Sequence, residues 1–145
     1  MEENKKLFVA DASVIIKWAI NEPDDLEQAL MFKSDFVNEE INVMVPTCCF
    51  PEVCNILCRQ KPDTALSFFS YLITSDIEER HVTFELVNIA HNLMKYYTTI
   101  SFYDAFYHAL AIRENAIFIT ADKKYYDKTR RRGHIMLLKN YGKKR

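Results

Sequence analysis

Glycine is almost missing from this chain of 145 residues, which has only Gly133 and Gly142. That scarcity excludes a glycine-rich phosphate loop and a G-x-G-x-x-G dinucleotide turn, since both need glycine where the backbone closes on a phosphate. Cysteine is confined to positions 48–58, as Cys48, Cys49, Cys54 and Cys58. No second cluster of Cys or His exists to complete a zinc site of the usual kind. Cys54 and Cys58, four apart, share one face of a helical segment, where a free thiol behaves as a small hydrophobe. All four read as packing residues in a reducing compartment rather than as a disulfide framework. His81, His91, His108 and His134 are scattered, with no H-E-x-x-H spacing. His108 lies four residues after Asp104 but reads as a packed histidine. There is no G-x-S-x-G elbow, and Ser13 has no evident base partner. No apolar run approaches the ~20 residues of a membrane span. Met1–Lys6 leads into a strand pattern without a signal-peptide hydrophobic region, so the expectation is a cytoplasmic protein with no membrane attachment.

With 49% hydrophobic and 27% charged residues, the composition is that of a folded globular chain. The length suits one domain over residues 1–145 with a core of useful size; a basic tail is expected from about residue 140 to 145. Net charge is −1, but it is unevenly spread. Residues 1–60 carry five Lys/Arg against eleven Asp/Glu, and residues 121–145 carry ten Lys/Arg against two Asp. Such a gradient favours a polyanion or an acidic partner approaching the C-terminal side.

Apolar patterns of strand and helix period alternate along the chain. Strands are expected at 7–10, 42–45, 77–82, 116–120 and 135–138. Helices are expected at 13–20, 26–37, 50–60, 64–72, 84–97, 101–115 and 125–131. Pro51 is tolerated in a first helical turn, while Pro46 stops a strand and Pro62 breaks or restarts a helix. Strands separated by helices predict a mainly parallel sheet covered on both faces.

Four acids stand where these elements meet. Asp11 ends the run Leu7-Phe8-Val9-Ala10, and Asp122 follows Ala116–Thr120, so both are expected beyond the carboxyl ends of parallel strands, where functional groups of such sheets gather. Glu52 and Asp104 fall in the first turns of helices whose N-termini face the same edge if those helices run antiparallel to the strands. Taken singly, each acid has an ordinary role. Asp11 and Asp122 suit N-caps, Asp104 completes a capping box with Ser101, and Glu52 suits the positive end of a helix. Gathered at one edge, they repel one another, and a cation is needed to stop their pKa values rising. Oxygen ligands without His or Cys favour Mg²⁺ or Mn²⁺. Such an ion suits phosphodiester chemistry, with the basic C-terminal segment holding the flanking phosphates.

The residues around these acids resemble the motifs of PIN-domain proteins, particularly VapC-type toxins. Asp11-Ala12-Ser13 is similar to the family's first motif. Pro46 through Glu52-Val53-Cys54-Asn55 is similar to the second, with Thr47-Cys48-Cys49 in place of common apolar residues. Ser101-Phe102-Tyr103-Asp104-Ala105 and Thr120-Ala121-Asp122 are similar to the third and fourth. The resemblance covers essentially the whole chain. It implies a three-layer α/β/α PIN-like domain and a Mg²⁺- or Mn²⁺-dependent endoribonuclease, the toxin of a toxin–antitoxin pair. It also implies a homodimer, and a small antitoxin whose C-terminal segment enters the acidic cleft. Asp11, Asp104 and Asp122 would then be the main metal ligands, and Glu52 would bind metal or position water. Ser13 and Thr120 would orient carboxylates, and Asn55 would hydrogen-bond near Glu52. Asp127 reads as a helix-surface acid. The alternatives are a stand-alone PIN nuclease of RNA processing and a non-catalytic module that binds RNA or protein.

Overall fold

The apolar run at residues 7–10 becomes the central strand, β1 (Lys6–Ala10), of a five-stranded sheet in the computed structural model, which describes residues 4–143. The other strands are β2 (Ile41–Pro46), β3 (Glu78–Arg80), β4 (Ile117–Thr120) and β5 (Ile135–Leu137), in the order β3-β2-β1-β4-β5. Every neighbouring pair is parallel, with Val9 opposite Met44 on one side and Phe118 on the other. Seven helices connect the described strands: α1 (Ala12–Ile15), α2 (Leu26–Val37), α3 (Cys49–Gln60), α4 (Pro62–Thr74), α5 (Phe84–Tyr96), α6 (Phe102–Arg113) and α7 (Lys123–Thr129). None is long and apolar enough to cross a membrane.

Strand alternation divides the core between the two faces of the sheet. Phe8 points to the face covered by α2, where it meets Phe32 and Tyr141 edge to ring, and Trp18 stacks on Phe36 beside them. Phe118 points to the opposite face and stacks on Tyr107 of α6, which packs across β1, β2 and β4. The result is the expected three-layer α/β/α arrangement. The chain leaves β1 toward β2 and β3 on one side and returns to β4 and β5 on the other. The topological switch therefore falls between β1 and β4.

The differences from expectation that bear on the fold are at residues 13–20, at the start of α7 and at the C-terminal segment. Residues 13–20 do not form one helix. Instead α1 tightens into a 3₁₀ turn at Ile16–Trp18. The β-branched run Val14-Ile15-Ile16 resists regular helix, and the turn aims the Trp18 indole N–H at the carbonyl of Ala29, 3.1 Å away. Helix α7 begins two residues early because the Asp122 side chain caps it. The basic tail starts later than residue 140. Tyr141 is buried against Phe8 and Phe32, and its hydroxyl donates to Asp35. Lys144 and Arg145 of that tail lie outside the described residues.

Phe32 is fully buried at the centre of this aromatic cluster. Phe32→Ala is expected to cost about 3–5 kcal/mol of unfolding free energy, read from the urea midpoint at an unchanged slope. A loss below about 1 kcal/mol would mean that the α2 face is not a packed core layer.

Candidate active site

The ends of β1 and β4 are joined by side chains. Asp11 leaves β1 in extended backbone and makes no helix cap. Its Oδ2 instead accepts two hydroxyl donors, Ser13 Oγ at 2.7 Å and Thr120 Oγ1 at 2.7 Å. Both hydroxyls also accept a backbone N–H. Ser13 takes that of Ala121 at 3.1 Å, and Thr120 takes that of Asp122 at 3.1 Å. The two predicted orienting residues therefore fasten the Asp11 carboxylate to the β4 end and fix the backbone that carries Asp122.

Asp122 does cap its helix, Oδ1 accepting the Tyr125 N–H at 3.0 Å. The cap occupies Oδ1 and leaves the second carboxylate oxygen outside it. Asp104 stands in the first turn of α6, where Ser101 Oγ accepts its N–H at 3.2 Å. Glu52 stands in the first turn of α3, half-buried, and its Oε1 is buried with no hydrogen-bond partner.

The acids interact through their charge. Burial pushes the Asp11 carboxyl up to about 6, Ser13 and Thr120 hold it back, and the charge of Asp104 adds to the rise. Glu52 is also raised, first by burial and then by the charges of Asp11 and Asp104, while Cys48 and Tyr107 lower it. Asp104 is raised by burial and by Asp122. No Lys, Arg or His among the described residues forms an ion pair with any of the four.

The set nevertheless falls short of a closed cage. Among the described residues, no three His, Cys, Asp or Glu side chains converge tightly enough to ligate one ion together. Mutual repulsion of unneutralised carboxylates favours this spacing. The donor set still fits a hard divalent ion, because Mg²⁺ keeps several waters and is held by one or two carboxylates plus substrate phosphates. Glu52 Oε1 lacks a hydrogen-bond partner within bonding geometry and has the Cys48 thiol and the Tyr107 hydroxyl as its neighbours.

Asn55 is exposed on α3, and no side-chain hydrogen bond connects it to Glu52. The neighbours of Glu52 are Cys48, one helical turn earlier, and Tyr107 of α6. Tyr107 is buried, and its hydroxyl, like Glu52 Oε1, has no hydrogen-bond partner. Their spacing held a partial signal, because Cys48 precedes Glu52 by four and Tyr107 follows Asp104 by three, both one turn away on a shared face. Burial and the Glu52 charge push the Cys48 thiol up to about 12, and burial raises Cys49 well above its ordinary value. Both are therefore neutral packing groups. His108 is fully buried. Its Nε2–H donates to the Gly133 carbonyl, and its Nδ1 accepts from the Tyr125 hydroxyl, each at 2.8 Å. Burial lowers it to about 4, so it is a packed neutral histidine. Asp127 is a surface acid paired with Lys123 at 2.7 Å.

A family profile described as PIN domain matches residues 8–131. No curated protein sequence matches the chain. Among solved structures, it is similar to VapC20 of Mycobacterium tuberculosis, described as a sarcin-ricin loop cleaving toxin. That match has a TM-score of 0.66 at 17% identity, covering 83% of this chain and 93% of that one. VapBC2 of Rickettsia felis, bound to a promoter DNA fragment, matches with a TM-score of 0.67 at 13% identity, over 90% and 96% of the two chains. A toxin–antitoxin complex of Klebsiella pneumoniae matches with a TM-score of 0.66 at 14% identity, over 92% and 98%. At these identities the likeness is one of fold.

The Asp11 shift has a measurable sign. A folded-state value near 6 against an ordinary 3.8 means that the folded chain binds the extra proton. Its stabilising contribution is fully present below 3.8 and is lost as pH rises through 6. In metal-free protein, Asp11→Asn should therefore raise the melting temperature relative to wild type at pH 7, and that advantage should shrink as pH falls from 6 toward 4. A difference independent of pH over this range would remove the buried-carboxylate account.

Proposed function

The chain belongs to the PIN-domain family, and on that premise we propose that it is a Mg²⁺- or Mn²⁺-dependent endoribonuclease, the toxin of a toxin–antitoxin pair. The observation that carries this reading is the acidic edge at the β1/β4 switch. There, Asp11, Glu52, Asp104 and Asp122 come from four separate elements, sense one another's charge, and form no ion pair with any described cation. A catalytic divalent ion, when bound, neutralises these acids, activates water and stabilises the leaving oxygen of a phosphodiester.

The chain's own residues divide the remaining work. Asp11 has Oδ2 committed to Ser13 and Thr120 and would hold a metal through its other oxygen. Asp122 likewise has Oδ1 committed to the Tyr125 N–H and offers Oδ2. Asp104 supplies a third carboxylate from the first turn of α6. Glu52, raised by burial, is the acid suited to position water and accept its proton, since a base works best when its pKa is drawn toward the operating pH. Ser13 and Thr120 act as outer partners that fix carboxylate orientation.

The neighbours that are toxin–antitoxin assemblies support a small antitoxin as partner; a homodimer working in the cytoplasm is part of the same proposal. The single domain leaves apolar side chains for such contacts, among them Leu66 and Ile73 on α4 and Tyr103 on α6, all exposed.

Purified chain incubated with total RNA is expected to cut it in Mg²⁺ or Mn²⁺, to stop in EDTA and to resume when metal is restored. Thr120→Val should lower metal affinity or rate by ~10–100-fold, as for outer partners of metal ligands, and Asp104→Asn should fall further while keeping its circular dichroism spectrum. Cleavage by Asp104→Asn at the wild-type rate, or cleavage indifferent to chelator, would overturn the metal site.

A further inference from the structure

A cleft of about 490 Å³ opens between α5 and the turn that follows α7. Its polar wall is made by Asn92, Tyr96 and Tyr97 on one side and by Arg131 and Arg132 on the other, over an aliphatic floor. Resting on the ribonuclease reading, we propose that this cleft is the substrate's docking subsite: it takes an unpaired nucleotide of a single-stranded RNA, with the base stacked on Tyr96 and the flanking phosphates on Arg131 and Arg132.

Charge is the first support. Arg130–Arg132 form one 3₁₀ turn, closed by Gly133 at φ +80, a left-handed conformation for which a side chain would be a strain. All three arginines are exposed, and none is ion-paired with a described carboxylate. Three unpaired guanidinium groups on one turn make a site for phosphate, which arginine binds in bidentate fashion.

The second support is the aromatic wall. Tyr96 is 80% exposed, and it is held edge-on by Tyr97 with ring centroids 4.7 Å apart. A braced, exposed ring beside arginine is the arrangement on which single-stranded bases stack, and it favours RNA over an acidic peptide, which needs the charge but not the ring. Asn92, exposed one helical turn before Tyr96, offers both a donor and an acceptor to a base edge.

Continuity with the acids is the third. The short turn after Tyr97 runs into Ser101, the cap of α6, and so into Asp104. Ile100 N–H donates to the Tyr97 carbonyl at 3.3 Å, and Lys128 Nζ reaches the Thr99 carbonyl at 3.5 Å, which fastens this turn to α7. A strand seated on Tyr96 is thereby led toward the acidic edge.

The test is fluorescence anisotropy of a labelled single-stranded oligoribonucleotide of mixed sequence against the full chain in EDTA, so that binding is read without cleavage. Tyr96→Ala should weaken binding roughly 10-fold, while Tyr96→Phe keeps the ring and the affinity. Each of Arg131→Ala and Arg132→Ala should flatten the log–log salt dependence by about 0.7. In Mg²⁺ the same variants should lose kcat/KM mainly through KM. RNA bound and cut by all of them as by wild type would overturn the subsite and leave the nuclease standing. Affinity lost in the variants, with no cleavage by wild type in any metal, would support the subsite and sink the nuclease reading instead. Variants that lose binding to a polyglutamate peptide but not to RNA would overturn the RNA assignment in favour of an acidic protein partner.

Discussion

A buried carboxylate held by a hydroxyl from 109 residues away is the contact on which the rest of this structure turns. Thr120 Oγ1 donates to Asp11 Oδ2 at 2.7 Å, where β1 and β4 end side by side at the topological switch. A carboxylate taken out of water needs hydrogen bonds to keep its charge, and Asp11 has them from both Ser13 and Thr120. Each hydroxyl is itself fixed by a backbone N–H of the β4 end. One carboxylate oxygen thereby ties together the two strand ends, the start of α1 and the segment leading into α7. The cost of burial is only partly met, because the Asp11 carboxyl still rises to about 6. That residual cost is what a cation placed at this edge would relieve.

The same constraint explains the uneven distribution of charge. Acids crowd the switch edge, and the cations nearest to them in sequence lie after Asp122, on α7 and on the Arg130–Arg132 turn. An acidic edge alone would repel a polyanion. A metal ion at the acids would invert the local field, as the proposed nuclease activity requires. On the proposed ribonuclease reading, the arginine turn would offer phosphate the positive charge that the acidic edge lacks without a metal.

What could be read from sequence depended on whether its cause was local. Asp11 and Asp122 were legible because each closes an apolar run, and a parallel sheet puts such ends on one edge. Ser101 was legible as a cap because its partner, the Asp104 N–H, is three residues away. The surroundings of Glu52 were not. Asn55, near in sequence, stands exposed, while Tyr107 approaches from another helix, and its spacing of three from Asp104 was only a partial signal. Tyr141 was misplaced in a tail for the same reason, since its burial depends on Phe8 and Phe32, both more than a hundred positions earlier. The break after α1 follows from Trp18 reaching Ala29, a tertiary contact that overrides helix period.

His108 shows how a residue outside the chemistry sets its geometry. It shares α6 with Asp104, one turn further along, and from the core it grips both ends of the basic segment. The Tyr125 hydroxyl donates to Nδ1, and Nε2–H donates to the Gly133 carbonyl just past the three arginines. Tyr125 in turn gives its N–H to Asp122. Tyr125 therefore bonds one acid through its backbone and the buried imidazole through its hydroxyl, and the imidazole bonds the base of the arginine turn. Burial lowers this histidine to about 4, so it stays neutral where the acids are ionised and keeps the tautomer that this double grip requires. Its position fixes where the arginine turn stands relative to α6 and α7.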